Sequence, residues 1–368
     1  MFPTRRNFLR MTAAGGGAAA LAYAGHGQDA TAPPVAETGA EFITARTQAA
    51  IDGGLAHLSK VQADDGSFTE RFSGAAVGVT ALAGLALMAG GHQPGRGRYG
   101  RNVSRCIDYL LAAANGPVPG FIGSADAQPN FRGMNQQAMY SHGFGCLFLS
   151  EVCGMLPDRN RQKKVKDVLD QAIAFTVDAR NKEGGWRYES KPQIADVSVT
   201  VAQMMALRAA KNAGVFVRKN VIDDGVAYIR ACQMPDGGFS YFKAQGYSAF
   251  ARSAAAIVGL YSAGIYTGKE IDRGLRYVNQ YLPVRQFANR EIPPNHYYYG
   301  HYYAALAMWT AGGEWWSQWF PAIRDELLSR TRDGVWNDNG TANSSAYATA
   351  MSLIILQLPN NYLPILQK

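Results

Sequence analysis

The residues of this sequence that could carry chemistry are few, and most are aromatic. Asp196 is followed at once by Ser198, His142 and Arg252 stand in apolar surroundings, and residues 296–303 read His-Tyr-Tyr-Tyr-Gly-His-Tyr-Tyr. A carboxyl held protonated by its surroundings can pass its proton to a substrate. A His, an Arg and a Tyr that converge suit a polysaccharide lyase, in which a uronate is neutralised and a proton removed. Tyrosine walls suit a hydrocarbon with a polar end, an isoprenoid, or a sugar ring stacked on its face. The candidate catalytic residues are therefore Asp196, His142, His301 and Arg252. The candidate cavity wall is Tyr140, Ser198, Tyr297, Tyr298, Tyr302 and Tyr347. His142 and Cys146 are four residues apart, the spacing of two metal ligands on one helix face. Zinc needs a third donor and usually a fourth, and only His301 stands out, so neither a metal nor a cofactor is expected.

The elements that must hold these residues repeat along the chain. Glu183-Gly-Gly-Trp186 has counterparts in Asp64-Asp-Gly-Ser-Phe68, Asp236-Gly-Gly-Phe239 and Asp333-Gly-Val-Trp336, with weaker forms at 116–121 and 285–294. Each loop follows an amphipathic segment, at 44–60, 103–114, 165–181, 221–233, 270–282 and 317–331. Ile222, Val226, Ile229 and Cys232 show the 3–4 spacing of one helix face. Each loop precedes a segment apolar on most faces, at 74–90, 136–154, 195–211, 247–264, 297–312 and 344–357. A helix that is apolar all round is buried on both sides. Six outer helices, six loops and six inner helices can close into a ring. Asp196 then sits where an inner helix opens, a position that favours an N-cap. The loop acids Asp64, Asp65, Glu183, Asp236 and Asp333 recur at equivalent places and read as turn residues.

These loops resemble the Gln-Trp repeats of the squalene cyclase and protein prenyltransferase superfamily over about residues 41–368. The resemblance implies an all-α fold, an (α/α)6 toroid of six helix pairs. In squalene-hopene-type cyclases a Gly-Gly-Trp loop leads into a helix opening Asp-x-Asp-Asp-Thr, whose middle Asp protonates an alkene. Here the matching stretch is Asp196-Val-Ser-Val-Thr200, with Ser198 and Val199 in place of two acids. A serine hydroxyl cannot protonate an alkene, so the resemblance implies the fold without that reaction. The Asp-x-Cys zinc pair of the prenyltransferases does not occur in this sequence. The expected partner is an apolar or amphipathic, isoprenoid-like small molecule held in the central cavity. A lyase or glycosidase acting on carbohydrate is the second reading, and a non-catalytic scaffold is the third.

Residues 4–10, Thr-Arg-Arg-Asn-Phe-Leu-Arg, precede an Ala- and Gly-rich run and the triplet Ala22-Tyr23-Ala24. This resembles a twin-arginine export signal. The expected organisation is a signal peptide over 1–24, a linker over 25–40 and a toroid over 41–368, with a periplasmic or other extracytoplasmic location. The chain carries a formal charge of +8. Its densest basic run, Arg159-Asn-Arg-Gln-Lys-Lys-Val-Lys166, lacks the interleaved aromatics of a nucleic-acid surface. No nucleic-acid partner is expected, and peripheral contact with an anionic membrane is the other use of such a run. Cys146 and Cys153 lie two helical turns apart, roughly 10 Å, beyond disulfide reach. The four cysteines are expected as small buried hydrophobes.

Overall fold

The computed structural model describes residues 42–68, 76–123, 138–283, 296–338 and 344–367. The signal peptide and linker expected over 1–24 and 25–40 lie outside these residues. Residues 39–368 form one compact unit. Among the described residues it holds twelve α-helices and no strand.

Two kinds of helix alternate. The outer ones are α1 (Ala45–Val61), α3 (Gly100–Ala113), α5 (Arg159–Asp178), α7 (Lys219–Ala231), α9 (Lys269–Asn279) and α11 (Gly313–Arg330). Each buries one stripe; α9 buries Ile271, Gly274, Leu275, Tyr277 and Val278 and leaves its charges in water. The inner ones are α2 (Ala76–Ala89), α4 (Ala138–Val152), α6 (Val197–Asn212), α8 (Phe250–Ser262), α10 (Tyr297–Ala311) and α12 (Ser345–Leu356). In α2 every residue from Val77 to Ala89 is buried. The inner helices touch in a closed circle, α2 to α4, α6, α8, α10, α12 and back to α2. α1 packs chiefly on α12, so the first outer helix completes the last inner one. The Arg46 Nη2 donates to the Leu328 carbonyl at 3.2 Å across that seam.

The loops tie the layers together by a recurring pair of contacts. Gly66, Gly184, Gly237 and Gly334 have φ of +90°, +89°, +92° and +78°, a region costly for other residues. Each is pressed against backbone of another outer helix, at Arg105, Asp224, Arg273 and Ala50, where a Cβ would collide. Two residues further on, the aromatic is fully buried: Phe68, Trp186, Phe239 and Trp336. Its backbone N–H donates to a hydroxyl on the following inner helix, at Thr80 (3.1 Å), Thr200 (3.0 Å), Ser253 (2.8 Å) and Thr349 (3.2 Å). The indoles also bond backward to the outer helix, Trp186 to the Thr176 carbonyl and Trp336 to the Leu327 carbonyl.

Because all the inner helices run the same way, the two ends of the ring differ. The glycine-aromatic loops and the inner-helix N-termini gather at one end. The short inner-to-outer turns gather at the other, where residues 358–367 cross the ends of the inner helices. There Asn360 donates to the Ala89 carbonyl at 3.2 Å, and the Ile365 N–H to the Glu151 carboxylate at 3.3 Å. Cys106, Cys146, Cys153 and Cys232 are buried and form no disulfide among the described residues. Among the described residues no helix is long and apolar enough to cross a membrane.

Candidate functional site

The loop-anchoring position decides where the two candidate histidines go. In the second repeat His142 stands where four of the others have Thr or Ser, and its Nδ1 accepts the Ile122 N–H at 3.1 Å. Its Nε2 then bears the proton and faces the Thr176 hydroxyl at 2.9 Å. The ring packs on Phe121 and Phe175, at 5.5 and 5.2 Å between centroids. His142 therefore lies between α4 and α5. Burial lowers its pKa to about 3 and keeps it neutral. His301 occupies the same repeat position on α10, fully buried against Tyr297 (4.6 Å), Phe250 (5.2 Å) and Trp319 (6.1 Å). Burial, with a smaller push from the Arg330 charge, lowers its pKa to about 3 as well. The loop before α10 lies outside the described residues.

Arg252 is held elsewhere. Its Nε donates to the Phe239 carbonyl at 3.0 Å, an Nη donates to the Tyr247 carbonyl, and its guanidinium covers the Tyr247 ring at 4.9 Å. His142, His301 and Arg252 thus brace three different loops or helix seams and do not converge. The lyase constellation expected of them with a tyrosine is not formed.

Two residues before each anchor, the same helices present a different set: Gly78, Tyr140, Ser198, Ala251, Tyr299 and Tyr347. This layer faces the ring's centre. α4 and α10 lie opposite each other, yet Tyr140 and Tyr299 meet at 6.0 Å, and one layer deeper Phe144 meets Tyr302 at 6.4 Å. Tyr303 stacks edge-on to Tyr299 and Tyr302, at 4.8 and 4.9 Å. The adjacent helices α6 and α8 carry only Ser198 and Ala251 at this level, so the tyrosines face small residues. Tyr140, Ser198, Tyr299 and Tyr347 are half-buried, whereas Phe144, Tyr302 and Tyr303 beneath them are buried. The result is a partly exposed tyrosine layer across the ring's centre, over a buried aromatic floor.

Tyr297 and Tyr298 were expected in this wall and are not there. The Tyr297 hydroxyl faces Glu326 on α11 at 3.3 Å, with Arg330 over its ring at 4.2 Å. The Tyr298 hydroxyl donates to the Asn337 carbonyl at 3.1 Å. Successive helix residues turn by about 100°, so of three consecutive tyrosines only Tyr299 points inward.

Asp196 lies fully buried at the start of α6, two residues before Ser198. It is the N-cap of α6, and its Oδ1 accepts the Val199 N–H at 2.9 Å. Its Oδ2 is fully buried and makes no well-formed hydrogen bond among the described residues. Burial raises the pKa to about 7, against the lowering pull of the cap hydrogen bond and the Arg187 charge. Tyr188 and Tyr241 stand beside it, with the Tyr241 hydroxyl donating to that of Tyr188 at 3.0 Å. Both were missed in the sequence. Each lies two residues beyond a loop aromatic, Trp186 or Phe239, so the repeat register was the signal that could have found them.

No protein-family model and no curated protein matches this sequence. Solved structures do match in shape. The type II terpene cyclase MstE from Scytonema, in complex with geranylgeranyl dihydroxybenzoate, aligns with a TM-score of 0.58 over 86% of this chain and 98% of its own, at 13% identity. An inactive variant of the α-1,6-mannanase GH76A of Salegentibacter sp. HEL1_6, in complex with α-1,6-mannotriose, aligns with a TM-score of 0.60 over 86% and 99%, at 8% identity. The chain is an α/α toroid. The shared shape spans a terpene cyclase and a glycosidase, so the fold by itself does not choose between an isoprenoid-like and a carbohydrate ligand.

What the toroid's rim can do follows from its groups. The buried phenols are pushed upward in pKa and keep their protons. Asp196 near neutral pH is in good part a neutral carboxyl, and a neutral carboxyl can donate a hydrogen bond. Among the described residues no group of three His, Cys, Asp or Glu side chains is placed to hold a metal ion.

Proposed function

We propose that this toroid binds an apolar small molecule with one polar end, of isoprenoid-like chemistry, against the central layer formed by Tyr140, Ser198, Ala251, Tyr299 and Tyr347. The ligand's chain lies against the aromatic floor, and its hydroxyl or carbonyl end takes a hydrogen bond from Asp196. The reading is supported by the fully buried Oδ2 of Asp196, which makes no well-formed hydrogen bond among the described residues, and by the tyrosine layer that lies beside it. A buried polar atom without a partner costs free energy, and a ligand oxygen that accepts from it recovers that cost. The layer at 78, 140, 198, 251, 299 and 347 contains no carboxylate, so it does not supply the second acid of a two-carboxylate glycosidase. With Ser198 and Val199 beside Asp196, the site is a binding site and not a polyene cyclase. Delivery outside the cytoplasm, through the leader expected over 1–24, completes the proposal.

The test is mass spectrometry of what organic solvent extracts from the purified protein, with titration by a long-chain isoprenoid alcohol. A retained apolar molecule, and tyrosine fluorescence that saturates with the alcohol, are expected. Ser198→Trp fills the open side of the layer and abolishes both. A protein that retains nothing apolar and instead shortens mannan or releases unsaturated uronates overturns the reading.

A further inference from the structure

The opposite end of the ring carries a second feature, independent of what binds at the central layer. Three of the exposed large hydrophobic side chains lie there: Phe216 on the α6–α7 turn, Tyr266 on the α8–α9 turn and Tyr362 in the C-terminal segment. Phe216 is the most exposed, at 84%. It projects beside a groove of about 630 Å³ with an apolar wall of Ile173, Ala174, Val177 and Val215 and a charged margin of Asp170, Asp178, Arg180, Lys182 and Arg218.

Cations surround these aromatics. Arg96 and Arg98 are exposed on the α2–α3 turn, Arg159 and Lys164 at the start of α5, and Lys211 and Arg218 on either side of Phe216. None of the six is in an ion pair among the described residues. Neighbouring cations are neutralised: Arg161 by Asp108, Lys163 by Asp167 and Lys219 by Asp223. Lys211 lies in the last turn of α6, where positive charge is favourable, while Arg218 immediately precedes the N-terminus of α7, where it is not. At the helix N-termini the Asp158 carboxylate caps α5, whereas α7 has neither a side-chain cap nor an acid in its first turn.

We propose that this end of the toroid docks on an anionic lipid bilayer, with Phe216 entering the headgroup region and Tyr266 and Tyr362 at its level. Exposed Phe and Tyr with a cationic surround match the two attractions of an interfacial anchor, apolar burial and charge. The basic run at 159–166, separated from aromatics in sequence, meets them here because the turns share one end.

The experiment is co-sedimentation of the full chain with vesicles of pure phosphatidylcholine and with vesicles containing phosphatidylglycerol. Each variant is compared with the wild type, so that any contribution from the rest of the chain is common to both. The wild type is expected to sediment with the anionic vesicles and to be released by salt. Lys211→Glu with Arg218→Glu should lower the partition roughly tenfold or more. Phe216→Ser should lower it at unchanged charge, and Phe216→Trp should keep or raise it. Tyr247→Ala, at the opposite end, should leave it unchanged. A Phe216→Ser protein that partitions like the wild type overturns the proposal. So does loss in Tyr247→Ala instead, or salt-sensitive binding to an RNA or DNA oligonucleotide with none to vesicles.

Discussion

His142 and Asp196 are both fully buried and both able to ionise, but their polar atoms are treated in opposite ways. His142 has both nitrogens engaged, one by the Ile122 N–H and one by the Thr176 hydroxyl. Asp196 has one oxygen spent on its helix and one left over. The two sit on different faces of the inner ring. The anchoring face, at 80, 142, 200, 253, 301 and 349, looks outward to the loops and outer helices. The face at 78, 140, 198, 251, 299 and 347 looks to the centre. The contrast is between these two residues and not a rule for each face, since His301 on the anchoring face packs among aromatic rings with neither nitrogen in a well-formed hydrogen bond among the described residues.

The comparison breaks most visibly at the loop aromatics, which belong wholly to the anchoring face. Trp186→Ala removes a fully buried indole and its bond to the Thr176 carbonyl, and should cost about 3–5 kcal/mol. The thermal midpoint reports it. A shift no larger than that of an exposed residue would deny the anchoring face its role.

Next in size is the dependence of stability on pH. Asp196 has a pKa of about 7 in the folded chain against 3.8 when unperturbed. Between those values the folded state keeps a proton that the unfolded state releases. Its contribution is complete below about pH 4 and is lost as pH rises toward 7, a change on the order of 4 kcal/mol. His142 and His301 act the other way. Their folded pKa of about 3 lies below 6.5, so the unfolded state takes up protons first. Their contribution is complete above 6.5 and is lost as pH falls toward 3. The two effects oppose each other between about pH 4 and 6.5. Asp196→Asn removes one of them, so urea midpoints of the variant should climb more steeply with pH over that window. Parallel curves for variant and wild type would mean that Asp196 is not held protonated.

The smallest expected effect sharpens the central face. Tyr299→Phe deletes a hydroxyl that makes no well-formed hydrogen bond, so stability should change by less than about 1 kcal/mol. Affinity for an isoprenoid alcohol should fall all the same. A variant that loses stability while binding as before would assign Tyr299 to the core.

Much of the architecture was legible because its signals are local. Gly184-Gly-Trp186 and its counterparts mark a backbone turn that needs a left-handed glycine, and the flanking segments carry their own periodicity. Asp196 was readable as an N-cap from its place before an apolar run. The candidate site was only partly legible. Tyr140, Ser198, Tyr302 and Tyr347 fall at the central layer or its floor, but Tyr297 and Tyr298 turn away from it. Tyr188 and Tyr241 were passed over because they sit in loops, where no periodicity singles out one tyrosine from another.

By itself, then, the sequence determined the order of outer helix, loop and inner helix, the glycines on which each turn depends, and the capping role of Asp196. These rest on contacts between residues close along the chain. Only the tertiary structure decided that Tyr299 faces inward while Tyr297 and His301 face α11, and that Phe216 shares an end of the ring with Arg159. Those outcomes depend on how each helix is rotated about its axis and on which turns are brought level. Both are set when six inner helices pack into a closed circle and bury their flanks against one another.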